Sequence, residues 1–171
     1  MISVDQALAF RELALPYVLA MASLALWEGR RREATWWAAG SLAFAIGLAL
    51  HAWMVSGHIG PEARAGGGWL ALGGWAFVLA ANQWNGLIIG AGVWLTALWV
   101  PLALLGAGAL RDPLGHRLLL TVAGYSAAFL LFGRDNNSYW GLIYGPLVAV
   151  SLVFVPGALR TLWRRARGSL A

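Results

Sequence analysis

The chain has 171 residues, of which 60% are apolar and 11% are charged, and its mean hydropathy is +0.69. This composition lies outside the usual range of soluble proteins and indicates a membrane protein. There is no cysteine and no lysine, which excludes disulfides, thiolate metal ligation and a Schiff-base lysine. The net charge of +5 comes from arginines at the ends of apolar segments, a pattern typical of membrane topology. We therefore expect a lipid bilayer, and no nucleic acid, among the partners.

Six apolar segments follow one another along the chain, separated by charged or turn-forming residues. A bilayer core needs about 20 apolar residues in helical conformation. The sequence therefore predicts an all-α, polytopic integral membrane helical bundle that forms a single domain over residues 1–171. Six transmembrane helices are expected, with five as the alternative. The predicted spans are approximately 13–28, 35–56, 66–82, 87–110, 118–132 and 139–159.

The count of spans depends on Ala65–Leu110, a stretch of 46 residues without an ionisable side chain. One helix of this length would extend about 69 Å, more than twice the roughly 30 Å of a bilayer core. The stretch is therefore either a hairpin of two spans or one span plus an apolar piece that does not cross. The natural break is Asn82–Gly86, because asparagine and glycine favour turns. Apolar length favours two spans here, and hence six in total.

Charge favours the other count. With five spans and the N-terminus outside, nine arginines lie inside and three outside, whereas six spans with the N-terminus inside give eight and four. The six-span arrangement also leaves Arg30, Arg31 and Arg32 on the outer side, against the positive-inside tendency. Both arrangements place the C-terminus in the cytoplasm, and we expect a multi-pass protein of the bacterial inner membrane.

Two pairs of glycines at a spacing of four residues predict close helix packing. Gly86 and Gly90 form one such ridge, and Gly141 and Gly145 form another. Small residues at this spacing let helices approach each other in lipid, where packing drives association. These ridges are compatible with a membrane protein partner or a homo-oligomer.

The first candidate site is the group of amides at Asn82, Gln83 and Asn85. Polar groups within a membrane are costly unless they are hydrogen-bonded, and they often mark functional sites. If the segment is a hairpin turn at the headgroup level, water satisfies these amides. If it is a break within a span, they line a polar ligand pocket.

The second candidate site is the dense polar segment between the last two predicted spans. A functional interpretation is a polar site at one membrane surface, in which Arg134 holds an anionic group. The alternative is a capped turn, since Asp135 and its neighbours can all cap the last helix. Arg134 and Asp135 are the weak catalytic candidates, and the ligand-binding candidates are Asn136, Asn137, Tyr139 and Trp140.

Histidine and tryptophan supply the remaining candidates. His51 lies within the second predicted span, and a bis-histidine haem site would pair it with another buried histidine. Trp94 and Trp99, two of 11 tryptophans, lie inside predicted spans and are suited to an aromatic pocket for a hydrophobic ligand. No metal site is expected, because the seven acidic residues are scattered and form no ligand motif with histidine. The sequence identifies no cofactor.

Three functions are compatible with these features. The absence of a catalytic motif and the glycine ridges favour a non-catalytic binding protein or accessory subunit of a membrane complex. The amides and interior tryptophans fit a small transporter or channel for a neutral or hydrophobic molecule. The third hypothesis is a membrane enzyme acting on a lipid or isoprenoid through Arg134 and Asp135. Whether the chain is an enzyme stays open, with a non-enzymatic role favoured.

Overall fold

The structure, a computed structural model, describes residues 13–56 and 71–168, apart from the side chain of Asp135. The secondary structure in these ranges is helical throughout. The α-helices are α1 (Leu15–Trp27), α2 (Arg31–Ser56), α3 (Gly74–Asn82), α4 (Val93–Ala109), α5 (Pro113–Leu131), α6 (Gly145–Leu152) and α7 (Val155–Gly168). A 3₁₀ helix, Asp135–Ile143, lies between α5 and α6.

The helix ends follow local signals. Gly29 adopts a φ of +70°, and the N–H of Arg30 bonds to the carbonyl of Ala25 at 2.8 Å, so that α1 ends in a tight turn. The carboxylate of Asp112 accepts a hydrogen bond of 2.7 Å from the N–H of Gly115, and Pro113 opens the first turn of α5. This cap and the proline start α5 at Pro113, five residues before the predicted span 118–132.

Length and composition make α2 and α5 able to cross a membrane, and α6 and α7 together form a third such segment with a bend of 46°. Helices α1 and α4 are shorter and apolar. The described helices are therefore compatible with a membrane protein, but six spans are not confirmed. Helix α3 has nine residues and is about 14 Å long, less than half the thickness of a bilayer core.

The chain around Gly86–Gly92 differs most from the prediction. It forms consecutive turns, and α4 begins at Val93 and not near Leu87. Gly90 has a φ of +75°, which cannot continue an α-helix. The predicted ridge of Gly86 and Gly90 is therefore wrong, because these glycines lie in turns.

The predicted last span is also not one helix. Its first part belongs to the 3₁₀ helix, its middle part is α6, and its last residues begin α7. We call the 3₁₀ helix and α6 together the composite segment. The composite segment packs along α3 and α4.

One end of the bundle collects the basic segments; we call it the charged end, comprising residues 27–32, residues 111–117 and α7. The rings of Trp27 and His116 are 5.5 Å apart, and a guanidinium nitrogen of Arg117 lies 3.7 Å from the Glu28 carboxylate. Arg30 pairs with both Glu28 and Glu33. Helix α7 begins beside the end of α4, where Val155 packs on Gly106. A six-span alternation would separate residues 28–33 from residues 111–117, whereas these contacts bring them together.

The core lies where α3, α4, α5 and the composite segment meet. Tyr125 and Tyr144 stack with their ring centroids 5.5 Å apart, and Phe129 meets Tyr144 edge-on at 5.4 Å. Around these rings pack small and branched side chains: Val78, Ala81, Val100, Ala103, Val122 and Val148. Such a layer of aromatic rings fixes the relative positions of α5 and the composite segment.

Candidate functional site

The fold joins the two polar segments that the sequence presents separately. The indole N–H of Trp84 donates a hydrogen bond to the hydroxyl of Ser138 at 3.0 Å. The amide of Asn85 donates to the carbonyl of Gly145 at 2.9 Å. These contacts bridge more than 50 residues of sequence, and with Asn82 and Tyr144 they form one polar cluster at the end of α3.

Asn82 is the centre of this polar cluster. Its side chain is 0% exposed, and Nδ2 donates to the carbonyl of Val78 at 2.8 Å and to the hydroxyl oxygen of Tyr144 at 2.7 Å. Both amide hydrogens are thus used inside the protein, while Oδ1 has no hydrogen-bond partner among the described residues. The amide ties α3 to the composite segment across 62 residues of sequence.

Gly141 explains how the 3₁₀ helix comes so close to α3. A β-carbon at this position would overlap the carbonyl oxygen of Ala81. The predicted close approach at Gly141 is therefore observed, although in a 3₁₀ helix. Gly145 is less constrained, since a β-carbon there would lie 3.8 Å from the Asn85 side chain.

The other predicted ligand residues have mixed surroundings. Gln83 is half-buried, and its amide lies 3.4 Å from the carbonyl of Ala91. Asn136 is exposed, whereas Asn137 is buried and its backbone N–H bonds to the carbonyl of Arg134 at 2.8 Å. The Tyr139 ring lies 6.5 Å from Trp84, and Trp140 is buried against Phe77 with a centroid distance of 6.1 Å. Most of these side chains build the fold around the polar cluster.

His51, Trp94 and Trp99 are not brought into the polar cluster. His51 lies 20 residues into α2, about 30 Å from the charged end where His116 lies, so these two histidines cannot share a haem. His58 lies outside the described residues. Trp94 is 69% exposed at the start of α4, and Trp99 packs against the core. No group of three metal-ligating side chains occurs in residues 13–56 and 71–168.

The weak catalytic candidates lie at the start of the 3₁₀ helix. Arg134 is half-buried at the end of the bundle opposite to the charged end, because α5 runs from Pro113 at the charged end to Leu131. Asp135 is the first residue of the 3₁₀ helix, so the N-cap position belongs to Arg134, and no side-chain capping hydrogen bond forms there.

A groove between α1 and α5 was not predicted. Its volume is about 790 Å³, within the range of small-molecule sites, and its walls are almost wholly apolar. The hydroxyl of Tyr125 donates to the carbonyl of Leu13 at 2.8 Å and so fixes α1 against α5 beside the groove. The lining residues are Leu13, Leu15, Pro16, Leu19, Ala20, Ser23, Leu120, Ala123, Gly124, Ala127, Ala128, Phe129, Leu131, Phe132 and Trp140.

A signal for this groove exists in the sequence of α5. Leu120, Ala123, Gly124, Ala127 and Leu131 recur at intervals of three and four residues, which places them on one helix face. Small side chains in the middle of this face leave space, and larger ones close its ends. Of the predicted ligand residues, Trp140 alone belongs to the lining that the structure describes.

Comparison of the chain with protein-family models, with curated proteins and with solved structures gave no match. The geometry is therefore the basis for function. Three features stand out: the apolar groove, the polar cluster and the charged end.

Proposed function

We propose that the chain is an integral membrane protein that binds an elongated apolar molecule, such as an isoprenoid or an acyl chain, without transforming it. The observation that carries this proposal is the groove between α1 and α5. Its volume suits a small molecule, and its described lining has the hydroxyl of Ser23 and the indole of Trp140 as its polar groups. Recognition would therefore rest on shape and on burial of apolar surface.

The polar cluster supports binding more than transport through the bundle. The amides of Asn82 and Asn85 donate to partners within the protein, and these contacts hold the 3₁₀ helix against α3. Side chains with such internal contacts act as structural supports, and the groove itself opens on the surface of the bundle. We accordingly assign the amides a role in positioning Trp140 at one end of the groove.

For topology, we propose five spans with the N-terminus outside and the C-terminus in the cytoplasm of a bacterial inner membrane. The spans are α1, α2, α4, α5 and the composite of the 3₁₀ helix and α6. Helix α3 enters from the end opposite to the charged end, since Gly73 packs on Gly133, and its length does not allow a crossing. Nine of the ten described arginines lie at or beyond the charged end, as the positive-inside rule expects of a cytoplasmic surface.

Single-cysteine labelling tests this topology, because the chain has no cysteine of its own. Suitable exposed positions are Thr35, Leu114 and Asn136, because replacing them leaves every arginine in place. We expect Thr35→Cys and Leu114→Cys to react with a membrane-impermeant maleimide from the cytoplasmic side of inverted vesicles, and Asn136→Cys to react in intact cells. Labelling of Thr35→Cys and Leu114→Cys from opposite sides would support six spans and contradict the proposal.

Substitutions at Gly124 test the groove. A β-carbon there would lie 3.9 Å from the carbonyl of Pro16, so Gly124→Ala is tolerated, whereas Gly124→Phe places a ring in the groove. We expect wild type and Gly124→Ala to retain farnesol or oleate in native mass spectrometry, and Gly124→Phe to lose at least about tenfold in affinity, equivalent to roughly 1.4 kcal/mol. Thermal unfolding checks that the variant is folded. Equal retention by all three proteins, or none by wild type, would refute binding in the groove.

An accessory subunit is the second candidate, and α2 is the observation that favours it. This helix of 26 residues packs on α1, yet Ala34 is its one buried side chain. Leu42, Ile46, Leu50 and Trp53 are all more than half exposed. Such a surface suits lipid or a second membrane protein. Recovery of the gently extracted protein in a fixed larger assembly would support this role, and a bare monomer would not.

A further inference from the structure

Helix α7 differs from the helices before it in composition and direction. It carries Arg160, Arg164, Arg165 and Arg167 and no acidic residue, and it is bent by 46° from α6. Val155 and Ala158 are buried against the bundle, while the later residues are exposed. The helix therefore leaves the packed core at the charged end and turns away from the axis of the last span.

The exposed part of α7 has two distinct faces. Leu159, Leu162 and Ala166 are spaced by three and four residues, so they share one face. Arg160, Arg164 and Arg167 follow the same spacing about a third to a half of a turn away. The side chains of Leu159 and Leu162 on this face are each 49% exposed. An apolar face beside a basic face is the pattern of a helix that lies in a membrane interface.

Trp163 lies between the two faces. It is 61% exposed, and the guanidinium carbon of Arg167 is 4.5 Å above its ring. A cation over an indole ring is an attractive contact. Tryptophan favours the headgroup region, where its ring contacts the upper acyl chains and its N–H stays polar. The pair thus marks the depth at which the helix would lie.

We infer that α7 is an interfacial helix that binds the anionic phospholipid headgroups of the cytoplasmic leaflet through its arginines, with Leu159, Leu162 and Ala166 in the acyl boundary. The inference rests on the proposed membrane topology. Anionic lipid is the occupant that fits the charge, because four arginines within eight residues face no acidic side chain of their own helix. Each basic residue near the surface is attracted to an anionic leaflet, and this attraction acts within a Debye length of the surface.

The test uses the full chain in nanodiscs, with an environment-sensitive fluorophore on Leu162→Cys or on Thr161→Cys. Thr161 lies on the side of α7 away from the apolar face, so it is the matched control. Acrylamide, a neutral quencher, avoids attraction to the arginines. In discs of phosphatidylcholine with phosphatidylglycerol, we expect quenching at position 162 to be several-fold weaker than at position 161. This protection of position 162 from acrylamide should be lost in discs of phosphatidylcholine alone.

Arginine substitutions then separate charge from apolar insertion. The triple variant Arg160→Gln, Arg164→Gln and Arg167→Gln should lose the protection at position 162, whereas Arg111→Gln, at the same end but off α7, should keep it. The inference would be overturned if position 162 were protected from acrylamide without phosphatidylglycerol and without these arginines. It would also be overturned if position 162 were quenched in both lipid compositions. Protection in native membranes but not in discs would assign the face to a protein and also overturn it.

Failure of the membrane proposal has a different signature. A chain that does not incorporate into discs would overturn both proposals. In another outcome, the chain incorporates into discs and Thr35→Cys is labelled on the same side as α7, but acrylamide still quenches the fluorophore at position 162. That outcome would overturn the lipid-binding role alone.

Discussion

Replacing Gly106 or Gly141 by alanine is expected to produce a large loss of stability for the addition of a single methyl group. A β-carbon at Gly106 would overlap the carbonyl of Ser151, and one at Gly141 would overlap the carbonyl of Ala81. Both neighbours are backbone atoms and cannot rotate away, so helices must separate. Overpacking of this kind costs about 3 kcal/mol, which lowers the melting temperature by roughly 6–12 °C in a chain of this size.

The control substitution is expected to change the melting temperature in the opposite direction. Gly40 lies in the middle of α2, and a β-carbon there would meet no atom within 4 Å. Gly40→Ala should raise the melting temperature slightly, because alanine favours a helix over glycine by up to about 1 kcal/mol. Melting curves in one detergent compare the three variants. Equal melting temperatures for Gly106→Ala and Gly40→Ala would contradict the close packing of α4 and α6.

The second large effect is expected at Asn82. Asn82→Ala removes the donor to the Tyr144 hydroxyl and opens a space in a fully buried position. Stranding a buried polar group costs about 1–3 kcal/mol. The neighbouring Gln83→Ala should cost much less, since that amide is half-buried and its contact is 3.4 Å long. Melting temperatures again provide the measurement.

A double variant separates the hydrogen bond from the lost packing. Tyr144→Phe alone leaves the Asn82 amide without this acceptor, and the combined variant removes both partners. Because the two side chains are hydrogen-bonded to each other, the losses of Asn82→Ala and Tyr144→Phe should be less than additive in the combined variant. Strict additivity would show that the two side chains act independently and that α3 is held by other contacts.

Much of the helical organisation could be predicted from composition and turn signals, but the helix breaks within Ala65–Leu110 and within the last predicted span could not. Apolar length alone suggests a hairpin in Ala65–Leu110. In the structure, α3 ends at Asn82, whose amide donates to partners inside the protein, and the positive φ of Gly90 keeps α4 from starting before Val93. Charge favours the five-span arrangement that we propose, because the distribution of arginines reflects membrane orientation and not helix packing.

The candidate site, like the fold, could be predicted only in part from the sequence. The amides and the segment 134–140 were recognised as unusual from residue types, but their association depends on contacts across more than 50 residues. No local pattern encodes such contacts. The groove depends on a gap between α1 and α5, and the sequence of α5 alone gives its small-residue face without the partner helix. Asn136 and Trp94 were chosen for their chemistry, and both are exposed to the surroundings.

If the composite segment is the last span, as we propose, the way the protein is made has a particular requirement. Asp135–Ile143 is among the least apolar helical segments and carries four polar residues at its start, so a translocon has little reason to pass it to lipid on its own. Its stable position requires Asn82, Asn85 and the carbonyl of Ala81, all synthesised about 50 or more residues earlier. In the proposed five-span topology, the first four spans and α3 would therefore be in place before the nascent chain delivers Tyr144. Helix α3 would then be the surface on which the last span docks.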